Sequence, residues 1–312
     1  MYSIGIDIGG MSIKVGLVNE GVIIEQNRTK TAPTSNECIK NIIEQINTLL
    51  RNNNISMDKI KGIGIGCPGA VSSETGEVAF LPNLGWKNVK LADQLKKVFN
   101  VQVVLSNDAN VAALAEVLYG CAKDYDTAIM FTLGTGVGGG IVINNKLFEG
   151  GWSRGAELGH STLFLDGEEC TCGRRGCIEC YTSATALINQ TKQAMLNDKT
   201  SKMWDFVSGN IDNVDGRTAF ECEKLGDKAA KVVVDNYVMY LSESVLNMLN
   251  IFRPQVFILG GGISAQGKNL TDRIKKYCEK FDYGYQGSPK TEILTATLGN
   301  DAGIIGAASL LD

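Results

Sequence analysis

One plan of strand, glycine turn, strand, polar turn and strand is written twice in this chain, and that repetition limits the fold more than any other feature. In the first copy residues 2–8 form an apolar strand, Gly9-Gly10 the glycine turn and residues 13–18 a second strand; Asn19-Glu20-Gly21 is the polar turn, with a third strand from Val22. In the second copy residues 128–133 are the strand, Gly134-Thr135-Gly136-Val137-Gly138-Gly139 the turn, residues 140–143 the second strand and Asn144-Asn145-Lys146 the polar turn. Two similar halves follow, and 312 residues suffice to give each its own core. Behind each triplet, helical and strand patterns alternate. The first half predicts helices over 37–52, 91–99 and 108–118 and strands over 60–66 and 101–106. The second predicts helices over 183–197 and 227–252, the latter stopped by Pro254, and a strand over 255–259 ended by Gly260-Gly261-Gly262. A helix over 270–280, a strand over 291–297 and a closing helix over 302–311, capped by Asn300 or Asp301, complete it.

The glycine turns are where chemistry can sit. Gly134, Gly136 and Gly139 have the spacing of a dinucleotide fingerprint, but that motif opens a helix, and here the chain runs on into the β-formers Ile141-Val142-Ile143. No G-x-x-x-x-G-K-[ST] occurs either, which rules out a P-loop. What remains is one glycine hairpin turn per half, whose bare N–H groups can approach an anion such as a nucleotide phosphate from two sides. Asp7 is a carboxylate inside the apolar strand Ile4-Gly5-Ile6-Asp7-Ile8; it needs a partner, and Mg2+ on the phosphates is one. Ser106-Asn107-Asp108 stands between a strand and an Ala-rich helix. Helix capping accounts for it; so does a carboxylate at a strand's C-terminal edge, kept ionised by the helix N-terminus and able to accept an alcohol proton.

Cys170-Thr171-Cys172-Gly173-Arg174-Arg175-Gly176-Cys177, with the sole histidine, His160, upstream, is a tetrahedral N/S set of the type Zn2+ takes. Arg174 and Arg175 sit where they can offset its net negative charge. Glu157, His160 and Glu179 add carboxylate and imidazole groups beside the loop, suited to gripping vicinal hydroxyls by charge-assisted hydrogen bonds. Polyol and nucleotide together mean a kinase. Nine cysteines, an odd number carrying a metal-type cluster, fit a reducing, cytoplasmic compartment better than a disulfide framework. Cys38, Cys67, Cys121, Cys222 and Cys278 then read as small hydrophobes. A net charge of −4 and a pI near 5.3 argue against nucleic acid as a partner. The first residues lack the basic-then-apolar pattern of a secretory leader and no run of apolar residues reaches membrane length, so no membrane association is expected.

The whole chain resembles the ROK family of sugar kinases and sugar-responsive repressors, within the actin/hexokinase/Hsp70 superfold. The resemblance is carried by Asp7-Ile8-Gly9-Gly10, Gly66-Cys67-Pro68-Gly69, Ser106-Asn107-Asp108-Ala109-Asn110, residues 133–140, Glu157-Leu158-Gly159-His160, the cysteine loop through Glu179, residues 259–262 and Leu298-Gly299-Asn300-Asp301-Ala302. It implies an α/β, duplicated ribonuclease-H-like (actin/hexokinase-type) fold of two domains with a cleft between them. The small N-terminal domain would comprise residues 1–117 plus 298–312, and the larger C-terminal domain residues 118–297. The resemblance makes Asp108 the catalytic base, with Gly69, Asn107, Glu157, His160 and Glu179 contacting the sugar. It assigns His160, Cys170, Cys172 and Cys177 to a structural Zn2+. Asp7, Gly9, Gly10, Ser12 and Lys14, with Gly134, Thr135 and Gly136, would serve the phosphates of ATP and its Mg2+, and Gly260, Gly261 and Gly262 the adenosine. The implied reaction is in-line transfer of the ATP γ-phosphoryl group to the 6-OH of glucose by a cytoplasmic homodimer. N-acetylmannosamine, N-acetylglucosamine or fructose are alternative acceptors. A sugar-sensing regulator is the other alternative, and it would need a DNA-binding module ahead of a first strand that starts at Tyr2. One residue departs from the family pattern: Met11 follows the first glycines where Thr is usual, removing a hydroxyl that Ser12 can supply from the next position.

Overall fold

The computed structural model describes residues 1–81, 84–283 and 289–312. Along the chain come β1 (Tyr2–Ile8), β2 (Ser12–Asn19), β3 (Val22–Lys30), α1 (Ser35–Asn52), β4 (Ile60–Cys67), β5 (Ala70–Ser72), β6 (Glu77–Leu81), β7 (Trp86–Val89), α2 (Leu91–Phe99), β8 (Gln102–Asn107) and α3 (Asp108–Tyr119). Then follow β9 (Ala128–Leu133), β10 (Val137–Ile143), β11 (Lys146–Leu147), α4 (Glu179–Thr182), α5 (Ala184–Asn197), α6 (Met203–Phe206), α7 (Thr218–Lys224), α8 (Lys228–Phe252), β12 (Val256–Gly260), α9 (Lys268–Phe281), β13 (Glu292–Thr295) and α10 (Ala302–Ser309).

The duplication is present in the sheets. One has the order β3-β2-β1-β4-β8 and the other β11-β10-β9-β12-β13, so the strand opening each copy lies third, between its own hairpin partners and two later strands. β1 is buried almost throughout, as a strand covered on both faces must be. Its partner β2 is antiparallel to it and β3 is antiparallel to β2; on the other side β4 and then β8 continue the sheet in parallel. The chain forms two compact units: Met1–Ala128 with Gly140–Ala156 and Thr297–Asp312, and Ile129–Gly139 with Glu157–Ala296.

In the first unit Gly16, Gly5 and Gly64 are register partners across β2, β1 and β4. This glycine row is the seat of α10: a Cβ at Gly5 would lie 2.0 Å from the Ile304 carbonyl oxygen, and one at Gly64 1.7 Å from that of Ala307. Glycine here is demanded by the closeness of the helix, not by the turn chemistry that marks it elsewhere. In the second unit Phe131 and Phe257 meet edge to face at 5.0 Å, and the buried Tyr237 of α8 donates its hydroxyl to the Thr182 carbonyl at 2.6 Å.

Several boundaries moved for identifiable reasons. α1 starts at Ser35 because Thr34 caps it, its hydroxyl accepting from the Glu37 N–H and donating to the Glu37 carboxylate. β10 starts at Val137, so the third glycine of Gly134-x-Gly136-x-x-Gly139 belongs to a strand and only the first two to the turn. Asp301 precedes α10 but caps nothing; its carboxylate accepts from Gln26 instead, at 3.3 Å. The small sheet β5-β6-β7 was not expected, because strands of three to five residues among glycine and serine turns leave no periodicity to read. Among the described residues no helix is long and apolar enough to cross a membrane.

Candidate functional site

In the first unit the parallel strands end together. Asp7 pairs with Gly66, Gly66 with Ser106, and Cys67 with Asn107. With strands about 4.8 Å apart, this sets Asp7 and the Ser106-Asn107-Asp108 corner on one sheet edge, two strand spacings or about 10 Å from each other. The buried Cys67 between them registers both: its thiol is pushed up first by burial, then by the charges of Asp108 and Asp7. Asn107, not Asp108, is the residue that caps α3, its Oδ1 accepting from the Ala109 N–H at 2.9 Å. Asp108 is the first residue of the helix and accepts from the same N–H at 2.9 Å. Asn107 Nδ2 donates to the Gly69 carbonyl at 3.4 Å, where Gly69 has φ +84° and its missing Cβ would lie 2.5 Å from the Phe80 oxygen. Ser106, fully buried, donates to Glu149 at 2.5 Å, and Ser73 donates to the other Glu149 oxygen at 2.6 Å. Sequence reasoning did not find Glu149, since nothing but the fold connects it to these serines.

Asp7 has a partner within the chain. Lys14 faces it across the β1–β2 hairpin, Nζ to Oδ2 2.9 Å, and also donates to the Asn300 carbonyl at 3.0 Å. The turn between them closes with Gly9 N–H donating to the Ser12 carbonyl at 2.9 Å, while the Thr31 hydroxyl donates to the Gly9 carbonyl at 2.7 Å. Met11 points into solvent, 84% exposed.

The second unit gathers the remaining motifs around the turn after β9. The Gly134 carbonyl accepts from Ala184 N–H at 2.8 Å and the Thr135 carbonyl from the Thr185 hydroxyl at 2.8 Å, so the head of α5 holds the turn. Glu179 Oε2 accepts from the Val137 N–H at 2.9 Å, a link that its place beyond the cysteine loop gave no reason to expect. A Cβ on Gly159 would lie 2.1 Å from the Val137 oxygen, and one on Gly261, φ +81°, 2.4 Å from that of Leu133. Turn, histidine segment and Gly260-Gly261-Gly262 are thus packed backbone to backbone. The Glu157 carboxyl is held above its ordinary range by burial, which outweighs the attraction of His160; Glu179 raises it further.

His160, Cys170, Cys172 and Cys177 offer four ligand atoms that all lie within 4.8 Å of one another. Cys172 and Cys177 have their sulfurs 3.7 Å apart, and Cys170 Sγ is 3.6 Å from His160 Nδ1. Tetrahedral thiolates on Zn–S bonds of about 2.3 Å stand about 3.8 Å apart, close to the Cys172–Cys177 and Cys170–His160 separations, so two edges of the set already match a zinc tetrahedron. Burial and the neighbouring thiols push Cys177 up to about 12, while a hydrogen bond from the Arg174 backbone lowers Cys172. Arg174 braces the loop, donating to the His160 carbonyl at 3.2 Å and to Thr162 at 2.7 Å; Arg175 is committed to Glu169 at 2.6 Å. All nine cysteines are free; Cys38, Cys67, Cys222 and Cys278 are buried, and Cys121 is partly exposed.

The sequence model of the ROK family matches residues 3–312. A glucokinase of Thermotoga maritima is 35% identical, over 99% of this chain and 96% of its own. A xylose repressor of Bacillus subtilis is 30% identical over 99% of this chain but 77% of its own. The crystal structure of a ROK family glucokinase from Streptomyces griseus in complex with glucose and AMPPNP matches with a TM-score of 0.82 at 33% identity, covering 99% of each chain.

Proposed function

Because this chain belongs to the ROK family, we propose that it is an ATP-dependent glucokinase, transferring the γ-phosphoryl group to the 6-OH of glucose. The observation that carries the chemistry is the placement at the head of α3: Asn107 is the N-cap and Asp108 the first helical residue, a carboxylate at the positive end of the helix and at the C-terminal edge of the sheet. Asp108 accepts the hydroxyl proton as the new O–P bond forms, a contribution typically worth ~10²–10⁴ in rate. Gly69, Asn107, Glu157, His160 and Glu179 orient the sugar through its hydroxyls.

For the donor, nothing in the chain demands glycine at Gly10 or Gly134. Neither has a left-handed φ, and an added Cβ would meet nothing within 4 Å. Bare backbone facing open space is what a phosphate needs. Gly9, Ser12, Lys14, Thr135 and Gly136 complete the phosphate contacts, and Gly260, Gly261 and Gly262 take the adenosine. Mg2+, when bound near Asp7, supplies charge neutralisation at the phosphates. His160, Cys170, Cys172 and Cys177 would hold a structural Zn2+, which fixes the loop and leaves His160 Nε2 carrying the proton that a sugar oxygen can accept. The free cysteines suit a reducing cytoplasm.

The test is a phosphorylation screen with ATP and Mg2+ over glucose, fructose, N-acetylglucosamine and N-acetylmannosamine. Glucose is expected to give the highest kcat/KM. A larger value for an acetamido sugar would keep the kinase and replace the substrate; no transfer to any sugar would remove the proposal.

A further inference from the structure

Glu116 lies on α3 eight residues beyond Asp108, about 12 Å along the helix axis, and its side chain is wholly buried. A carboxylate goes into a protein interior only when its oxygens are supplied with donors. Here Oε1 accepts from the N–H groups of Thr297 and Leu298, both at 2.8 Å, while Oε2 accepts from Cys121 N–H at 2.9 Å and the Thr297 hydroxyl at 3.2 Å. The fit excludes any side chain at the next turn, since a Cβ on Gly120 would lie 2.0 Å from Oε2.

Holding α3 against α10 does not require this group. The two helices already touch backbone to backbone, with a Cβ at Gly306 placed 1.8 Å from the Val111 oxygen. What an apolar residue cannot do is grip two consecutive peptide N–H groups. Those two open the segment Thr297-Leu298-Gly299-Asn300-Asp301, which turns through Gly299 at φ +54°. Its Asn300 carbonyl then accepts from Lys14, whose ammonium is paired with Asp7. One short peptide is therefore fastened at one end to the helix that begins with Asp108 and at the other to the lysine that holds Asp7.

We propose that Glu116 is a positioning residue for phosphoryl transfer: through the segment 297–300 it sets Lys14 and Asp7 in a fixed place relative to Asp108. The donor side and the proton acceptor then share one frame, although Glu116 touches neither sugar nor nucleotide. This inference rests on the kinase reading above.

Glu116→Gln keeps the shape and the acceptor for Thr297 and Leu298 but turns an amide N–H toward the N–H of Cys121. The variant should remain folded by circular dichroism and bind glucose in calorimetry within about twofold of the unmodified protein, since Glu116 shares no partner with the residues proposed to hold the sugar. Its kcat should fall on the order of 10- to 100-fold, as misplacement distant from the chemistry does, and its Kd for a non-hydrolysable ATP analogue with Mg2+ should rise. In a Lys14→Met background the same substitution should add little, because the route runs through Lys14. Should Glu116→Gln fail to fold, Thr297→Val, which removes one hydroxyl donor, carries the same cycle with an expected kcat loss of about two- to tenfold. A lower melting temperature with unchanged kcat, or losses from Glu116 and Lys14 that simply multiply, would overturn the proposal. Inactivity of the unmodified protein would overturn it together with the kinase reading, whereas failure confined to the variants leaves the kinase standing.

Discussion

Asp108 was conspicuous in the sequence because an acid at a strand-to-helix corner has two explanations; the structure makes Asn107 the N-cap of α3, with Asp108 the first helical residue accepting from the same Ala109 N–H. Asp108→Asn keeps an oxygen for the Ala109 N–H, so the helix should survive while the proton acceptor is lost. We expect kcat to drop by at least ~10²-fold with glucose affinity little changed, read from steady-state kinetics beside calorimetry. A variant with near-normal kcat would strike Asp108 from the mechanism. Other residues were harder to read. Asp7 gave Mg2+ as one partner in the sequence, but the partner within the chain was missed: a tight hairpin at Gly9-Gly10 pairs Ile8 with Ile13 and therefore Asp7 with Lys14, a signal available from the spacing alone. Glu116 gave no signal at all: one glutamate in an Ala-rich helix reads as a solvent face, and only the return of residues 297–298 from the far end of the chain buries it.

At the scale of elements, the glycines divide by what stands opposite them. Gly64→Ala should destabilise the protein by about 1–3 kcal/mol in urea unfolding, since the new methyl would drive into the Ala307 carbonyl beneath α10. Gly10→Ala meets nothing and should leave stability within about 0.5 kcal/mol while raising the KM for ATP. Equal destabilisation of both would show that the glycine row is not a seat. The cysteine loop makes a second contrast, because its compressed spacing suggested a metal from sequence alone, and the structure brings the four candidate ligand atoms within 4.8 Å of one another. Metal analysis should find about one zinc per chain, and Cys172→Ser should lose it along with affinity for sugar, as sites whose ligands come from one short loop do. A fully active, folded preparation without zinc would end that reading. Long elements were legible because burial imposes a period on them; β5, β6 and β7 are too short to show one.

For the molecule as a whole, the written repeat proved the most transferable information, since two copies of one strand plan became two sheets of one strand order. Periodicity disclosed each sheet's opening strands, and the later β12 and β13 fell into the places of β4 and β8. What one sequence hides is long-range return, and the first unit depends on it: its glycine row is made of residues 5, 16 and 64, but the helix that fills the row is Ala302–Ser309. A ribosome delivers that helix roughly 240 residues after Gly64, which at about 5–20 residues per second is a delay on the order of tens of seconds. Throughout that interval the nascent sheet stands with its bare backbone groove uncovered, and the carboxyl edge bearing Asp7 and Asp108 has not received Thr297 or Asn300. Competence for chemistry thus waits on residues 297–309, so a chain lacking Ala302–Ser309 would leave the ribosome as a client for chaperones and not as a weak enzyme.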